Sequence, residues 1–255
     1  MHKSIARLAA LLTAILLIPQ ISYAQESELA QKITEAMESD IREESERDRD
    51  RNRRPVQTLD FFGITPEMKV LELIPGGGWY TKLLAPALRG DGELHVAIGT
   101  TRVKEQLIQL PGMDKINVIE IEAEIENSET PRLRTIGAFD FDESNFDAVL
   151  TFRNMHNFDA DGRNSVNEAV FKALKPGGIY GVVDHTLRHM EAFSAENRRR
   201  ADPVLMIKEV QAAGFEFVDY SDLHYRPDDE LRYEVGRKSV TGNTDRFTFL
   251  FKKPE

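Results

Sequence analysis

The chain has no cysteine. No disulfide framework can form, and no thiol is available as a nucleophile, a metal ligand or a lipid attachment point. Tryptophan occurs once, at Trp79. Basic residues are in the minority, 33 Lys and Arg against 43 Asp and Glu in 255 residues, for a formal net charge of -10. A chain this acidic is a poor general binder of nucleic acid or anionic membrane. Long apolar runs are also scarce. The only extended one, Leu8 to Ile18, is shorter than the roughly 20 residues a spanning helix needs.

That run sits in "MHKSIARLAALLTAILLIPQISYAQ". Lys3 and Arg7 give a basic start, Pro19 ends the apolar stretch, and Ser22-Tyr23-Ala24 supplies small residues before a cut. This is the layout of a secretory signal peptide over residues 1–24, with an uncleaved anchor as the alternative. The expectation is a periplasmic or secreted protein without stable membrane insertion after cleavage. Loss of Lys3 and Arg7 would take the net charge from -10 to -12.

Residues 25–62 form a charged helical extension. Leu29, Ile33, Met37 and Ile41 recur at every fourth position and share a helix face. "REESERDRDRNRRP" then mixes acids and bases. It reads as a solvated helix face with internal ion pairs, in preference to a phosphate-binding patch over Arg49 to Arg54. Pro55 suits the first turn of a second helix, Val56, Leu59 and Phe62 share its face, and Gly63 suits its end. The extension could serve as lid, tether or dimer arm, so a homodimer stays open.

From residue 63 to 255 strands and helices alternate. Strands are expected at 69–74, 93–99, 116–123, 146–152, 179–184, 215–223 and 246–253. Helices are expected after the first, second, fourth and fifth of these, with 124–144 irregular. Pro86 interrupts the first of these helices. In the others, Val166, Ala169, Val170 and Leu174, then Val204, Ile207 and Val210, point inward. Asp202 caps the last helix, ahead of Pro203 at its first position. The alternating Phe215, Phe217, Phe247, Phe249 and Phe251 belong to sheet core. This pattern is an α/β fold of the Rossmann-like kind, a mostly parallel sheet with helices on both faces and an antiparallel last strand.

"VLELIPGGGWYT" carries the strongest functional signal. In open α/β sheets, ligands sit beyond the carboxyl ends of the strands where strand order reverses. Pro75 pushes Ile74 toward extended geometry. Gly76, Gly77 and Gly78 then let backbone approach a ligand, and a helix start near Trp79 favours an anion. A βα turn without ligand is the plain alternative. Glu72 lies inside the strand, where a purely structural carboxylate would be costly; a ligand ammonium would justify it.

Together with "FDAVLTFRNMHNF" and "ALKPGGIYGVVDHTL", this stretch resembles the class I S-adenosylmethionine-dependent methyltransferases, and more narrowly a family of exported methyltransferase-like proteins. The likeness runs from about Asp48 to Lys253. It implies a seven-stranded sheet and S-adenosylmethionine as cofactor. It further implies that Glu72 holds the cofactor's amino group, within a binding set of Glu72, Pro75, Gly76, Gly77, Gly78, Tyr80 and Thr100. Gly76 and Gly78 match the second and third glycines of the family loop, and Ile74 stands at the first. The second strand ends Ile98-Gly99-Thr100-Thr101, without the family's ribose-binding acid. Glu122 and Glu124 follow the third strand, where adenine contacts lie.

Asn154, His156 and Asp184 are the candidate catalytic residues, expected with Arg153, Asn157, His185 and His189 at one mouth beyond the fourth and fifth strands. Three readings compete there. In methyl transfer, His156 or Asp184 acts as base and Trp79 or Tyr80 faces the cationic sulfur. A metal site would use His156, Asp184 and His185, but no ligand pair at helical spacing supports one, and none is assigned. In the third, Asn154 and His156 merely tie loop to backbone. The expected activity is methyl transfer to an unidentified small molecule. The alternative is an exported, non-catalytic or cofactor-altered small-ligand binder on the same fold.

Overall fold

The computed structural model describes residues 27–255, so the expected signal peptide and its cleavage site lie outside the described residues. Helix α1 (Glu28–Met37) opens on Ser27, whose hydroxyl accepts from the Ala30 amide, and it buries Leu29, Ala30, Ile33 and Ala36. Two single-turn helices follow, α2 (Glu44–Arg47) and α3 (Asp50–Arg53). Arg54, at φ 41°, breaks the chain before α4 (Pro55–Phe61), which ends ahead of Gly63 at φ +66°. The stretch around Arg49 is therefore not one solvated helix. Arg42 is buried against Asp50, and Arg53 turns inward.

Strand β1 (Lys69–Leu73), helix α5 (Thr81–Leu88) and strand β2 (Glu93–Ala97) come next. Helix α5 runs through Pro86 without the expected interruption. A π-helical turn over Val103–Leu107 leads to β3 (Asn117–Ile119), shorter than its apolar pattern implied. Residues 124–144 are not wholly irregular. They hold an antiparallel hairpin of β4 (Ile125–Asn127) and β5 (Arg134–Ile136). Strand β6 (Phe146–Phe152) and helix α6 (Ala160–Ala173) precede β7 (Leu174–His185). Helix α6 stops earlier than expected, because Pro176 forces extended backbone before it. Leu174 already pairs with Phe146. Helix α7 (Pro203–Ala212) is capped by Asp202, as the Asp-Pro pair implied, and β8 (Glu216–Ser221) and β9 (Arg246–Lys252) close the chain.

The main sheet has the order β3-β2-β1-β6-β7-β9-β8. Strands β3, β2, β1, β6 and β7 pair in parallel; β9 is antiparallel to both its neighbours, so it alone reverses. Strand order switches direction between β1 and β6, which places a ligand crevice at their carboxyl ends.

Each sheet face is covered. On one, Val166, Ala169, Val170, Met206 and Val210 from α6 and α7 pack with Phe215, Phe247, Phe249 and Phe251. Val204 departs from expectation: it is exposed, and Met206 takes the buried position instead. On the other face Leu29 and Ile33 of α1 and Leu59 of α4 join Leu83, Leu84 and Leu88 of α5 in one apolar cluster. The N-terminal extension is thus packed into the same core. No described helix is long and apolar enough to cross a membrane.

Candidate functional site

Three neighbouring strands end the same way. The residue after β1, β2 and β6 is Ile74, Ile98 and Arg153, with φ of 53°, 64° and 63°. Left-handed backbone costs a side-chain-bearing residue on the order of 1–3 kcal/mol, and such strain collects at functional sites. Ile74 is therefore not extended as Pro75 alone would dictate. Its amide donates to Ala97 O, and Asn154 Nδ2 donates to both Leu73 O and Ile74 O at 3.2 Å, which together hold the turn. Asn154 accordingly ties the end of β1 to the loop after β6.

A cleft of about 240 Å³ opens there, lined by Glu46, Glu72, Pro75, Gly76, Gly77, Trp79, Tyr80, Arg53, Arg153 and Asn154 among others. Glu72 is buried in β1 and accepts from Thr81 Oγ1 at 2.6 Å. Burial raises its carboxyl pKa to about 7, against the lowering influence of that hydroxyl and of the Arg53 charge. Gly76 and Gly77 are exposed beside it, and neither amide has an acceptor among the described residues. Helix α2 supplies the outer wall: Trp79 Nε1 donates to Glu46 O, and Lys82 Nζ binds both Glu46 carboxylate oxygens.

Gly78 plays a different part from its neighbours. At φ +78° its missing side chain makes room for the protein's own Leu107, which a Cβ would overlap. It does not line the cleft. Nor does Thr100, which is buried and accepts the Lys104 amide at the start of the π-helical turn. Glu122 and Glu124 are exposed and likewise outside the cleft. Gly77 lies outside the left-handed region, and a Cβ there meets only Arg102 Nη1 at 3.8 Å. Gly78→Ala is therefore expected to destabilise by about 1–3 kcal/mol, from strain and overpacking together. Gly77→Leu should keep the wild-type melting temperature within about 2 °C. Thermal unfolding of both variants checks the pair; equal losses would contradict the division of roles.

The aromatic residues are already engaged. Tyr80 stacks on Phe152 with centroids 3.6 Å apart, and its hydroxyl donates to Arg53 O. Arg53 and Arg42 lie 4.2 and 5.1 Å from the Trp79 centroid. Both rings nevertheless line the cleft.

Of the expected trio, His156 and Asp184 meet, while Asn154 lines the glycine cleft and His156 does not. Asp184 is fully buried in β7. It accepts from the backbone amides of His156 (2.9 Å) and His185 (2.7 Å), and from His156 Nδ1 at 2.5 Å. With all these donors on it, Asp184 orients His156 and reaches no ligand. His156 faces a separate hollow lined by Phe158, Leu187, Phe193, Leu205 and Met206. His185 is held neutral, its pKa lowered well below 6.5 by burial and by the Arg246 charge, and its Nδ1 bonds Thr244 Oγ1. His189 is elsewhere again, on Asp202. Among the described residues no group of three or more His, Asp or Glu could hold a metal ion.

The sequence placed Arg153 at the mouth and offered Arg49 to Arg54 as the less favoured phosphate-binding patch, but it gave no sign of Arg246 or of their meeting. Arg53 from α3, Arg153 after β6 and Arg246 from β9 come together around Tyr80, with Arg49 near enough to act on all three. Arg53 and Arg246 are each lowered to about 9, first by burial and then by the Arg153 charge. The cluster is pinned by His224. Its Nε2 donates to Arg53 O at 3.0 Å, and its Nδ1 accepts from Thr248 Oγ1 at 2.7 Å. The only local hints were the basic run at Arg49 to Arg54 and the position of Arg153 just past a strand.

No family model matches the chain, and no curated protein matches it. Solved structures do match in shape. A SAM-dependent methyltransferase from Aquifex aeolicus superposes with a TM-score of 0.55 at 14% identity, covering 88% of this chain and 97% of that one. The glycopeptide N-methyltransferase MtfA gives 0.52 at 16% identity, over 80% of this chain and 96% of its own. The [4+2]-cyclase SpnF gives 0.52 at 15% identity, over 80% and 81%. The chain has the fold of the SAM-dependent methyltransferases, the seven-stranded, mostly parallel sheet the sequence implied. At such low identity the likeness establishes the fold and leaves chemistry to the site.

Proposed function

We propose that the protein transfers a methyl group from S-adenosylmethionine to a small-molecule acceptor in the cleft between the ends of β1 and β6. The observation that carries this reading is the buried Glu72 at the switch point, next to two glycines whose amides have no partner. These residues fit the amino-acid end of the cofactor. Glu72 would take the ammonium, whose charge also relieves the cost of burying the carboxylate. Gly76 and Gly77 would donate to the carboxylate. The ribose end is less provided for, since β2 runs into Ile98-Gly99-Thr100 with no acid. When bound, the cofactor supplies an electrophilic methyl carbon on a sulfonium.

The chain's own contribution is placement. Among the described residues no histidine lines this cleft, and Glu46 is committed to Lys82. The reaction would therefore rest on alignment of the acceptor rather than on a dedicated base. Asn154 holds the β1 turn in shape, and Asp184 fixes the loop through His156.

Calorimetric titration with S-adenosylmethionine and S-adenosylhomocysteine tests the reading. Wild type is expected to bind both, and Gly77→Leu neither. Absence of heat and of any thermal shift at millimolar ligand would sink the methyltransferase reading, leaving a ligand-binding protein on this fold. SpnF, named as a cyclase, is a case of the fold serving another chemistry.

A further inference from the structure

Buried charges in folded proteins are paired. This protein follows the rule elsewhere: Arg42 meets Asp50, Arg163 meets Glu209 and Arg200 meets Asp229. Buried Arg246 breaks it, together with the half-buried Arg53 and Arg153. None has a carboxylate in ion-pair contact among the described residues, and all three have a buried Nε without any hydrogen-bond partner. The guanidinium of Arg153 makes no hydrogen bond at all to the described residues, and that of Arg53 only rests over Trp79. Arg246, 4% exposed, spends Nη1 on Asn52 O. The acids around them are engaged: Glu46 with Lys82, Glu72 with Thr81, and Asp184 with His156 and His185.

Like charges held together without counter-ions oppose folding. Three remote chain segments bring these cations to one place, and His224 and Tyr80 anchor the Arg53 backbone there. Arg53 and Arg153 line the glycine cleft, and Arg246, which does not line it, is close enough for its charge to act on Arg53 and for that of Arg153 to act on it. The planar fork of a guanidinium matches the oxygens of phosphate and carboxylate.

We infer that Arg53, Arg153 and Arg246 form a receiving site for an oxyanion, and that the acceptor methylated in the adjoining cleft is a small molecule carrying a phosphate or carboxylate group. The second half rests on the methyl-transfer reading; the first does not. The anion would complete the missing counter-charge and fix the rest of the acceptor next to the glycine corner.

Titration of the protein with inorganic phosphate, and in parallel with succinate, tests this at constant ionic strength set by chloride. The expected result is saturable binding with a rise in melting temperature of about 3 °C or more at ten times Kd. Whichever of the two binds more tightly identifies the oxyanion. Arg153→Met, which breaks no hydrogen bond or ion pair with the described residues, should weaken binding at least tenfold. In chloride alone the same variant should melt at or above wild type, since it removes a repelled charge. A merely structural arginine would lower that temperature.

Repeating the titration with saturating S-adenosylhomocysteine separates the two halves. Undiminished phosphate binding supports an acceptor site. Competition would mean that the arginines hold the cofactor's own carboxylate, and would overturn the acceptor assignment. Failure of both anions to bind, or unchanged affinity in Arg153→Met, would overturn the site itself. Binding of anion without S-adenosylhomocysteine would keep the oxyanion site and remove the methyl-transfer reading.

Discussion

Replacing Glu72 with glutamine should raise the melting temperature at pH 8 by about 6 °C or more while abolishing cofactor binding. Glu72 is buried in β1 and, among the described residues, its carboxylate is hydrogen-bonded only by Thr81. Its pKa rises from 4.5 to about 7, so the folded state holds its proton more tightly than the unfolded chain does. The stability from that proton is fully present below about pH 4.5 and is lost as pH climbs through 7. At pH 8 the bare carboxylate then costs about 3 kcal/mol, at 1.36 kcal/mol per pKa unit. For a domain of this size that corresponds to roughly 6–12 °C. Glutamine keeps an acceptor for Thr81 and never carries the charge. The gain should therefore shrink to near zero at pH 4.5, where both variants are neutral. Thermal unfolding of the two proteins across this range measures it. A difference that does not change with pH would remove the burial account of Glu72. A stabilised variant that still binds S-adenosylhomocysteine would remove its assigned partner.

The largest loss is expected at the buried pair of Arg200 and Asp229, whose side chains are both fully enclosed. Two parallel bonds of 2.9 Å join them. Arg200 also donates to Thr186 O and Tyr233 O, and Asp229 accepts from the amides of Leu231 and Asp245. The pair thus binds the segment after β7 to the long connection before β9. Asp229→Ala leaves Arg200 buried and uncompensated, which costs about 3–5 kcal/mol. The melting temperature should fall by about 10 °C. Changing both, Arg200→Met with Asp229→Leu, removes the stranded charge and should recover part of the loss. A single variant within 1 °C of wild type would show that the connection does not depend on the pair.

Much of this fold could be read from local pattern. In 69–73 and 146–152 adjacent residues such as Val70-Leu71 and Ala148-Val149-Leu150 are apolar without alternation because both sheet faces are covered, and that marks parallel strands in the sequence. Asp202-Pro203 marks a helix start because cap and first-turn preferences act within a few residues. The hairpin of β4 and β5 had no such mark. Its strand Ile125–Asn127 is exposed, so no alternation is imposed on it. The candidate cleft was legible where its lining is local, at Glu72 and Gly76-Gly77. It was illegible where it depends on distant partners. Nothing in "GGG" separates Gly77 from Gly78, because the difference lies in Leu107, far along the chain. Likewise nothing near Arg53, Arg153 or Arg246 in the chain shows that the three meet. Their meaning comes from sheet topology, which sets the start of the connection after β6 beside the start of β9 and under the N-terminal turn.

The contrast between an acidic exterior and that cationic interior bears on how an anion would arrive. With a net charge of -10, the protein repels a phosphate or carboxylate from afar. Within a Debye length, about 8 Å at physiological salt, the guanidinium groups take over. Attraction is therefore short-ranged and sits behind a long-ranged barrier. Moderate salt thins the barrier before it weakens contacts made out of water, so capture should quicken as salt is first added, the reverse of ordinary electrostatic steering. A doorway of this kind slows the entry of extended polyanions, whose remaining charges stay against the acidic surface, and favours compact guests that carry one anionic group.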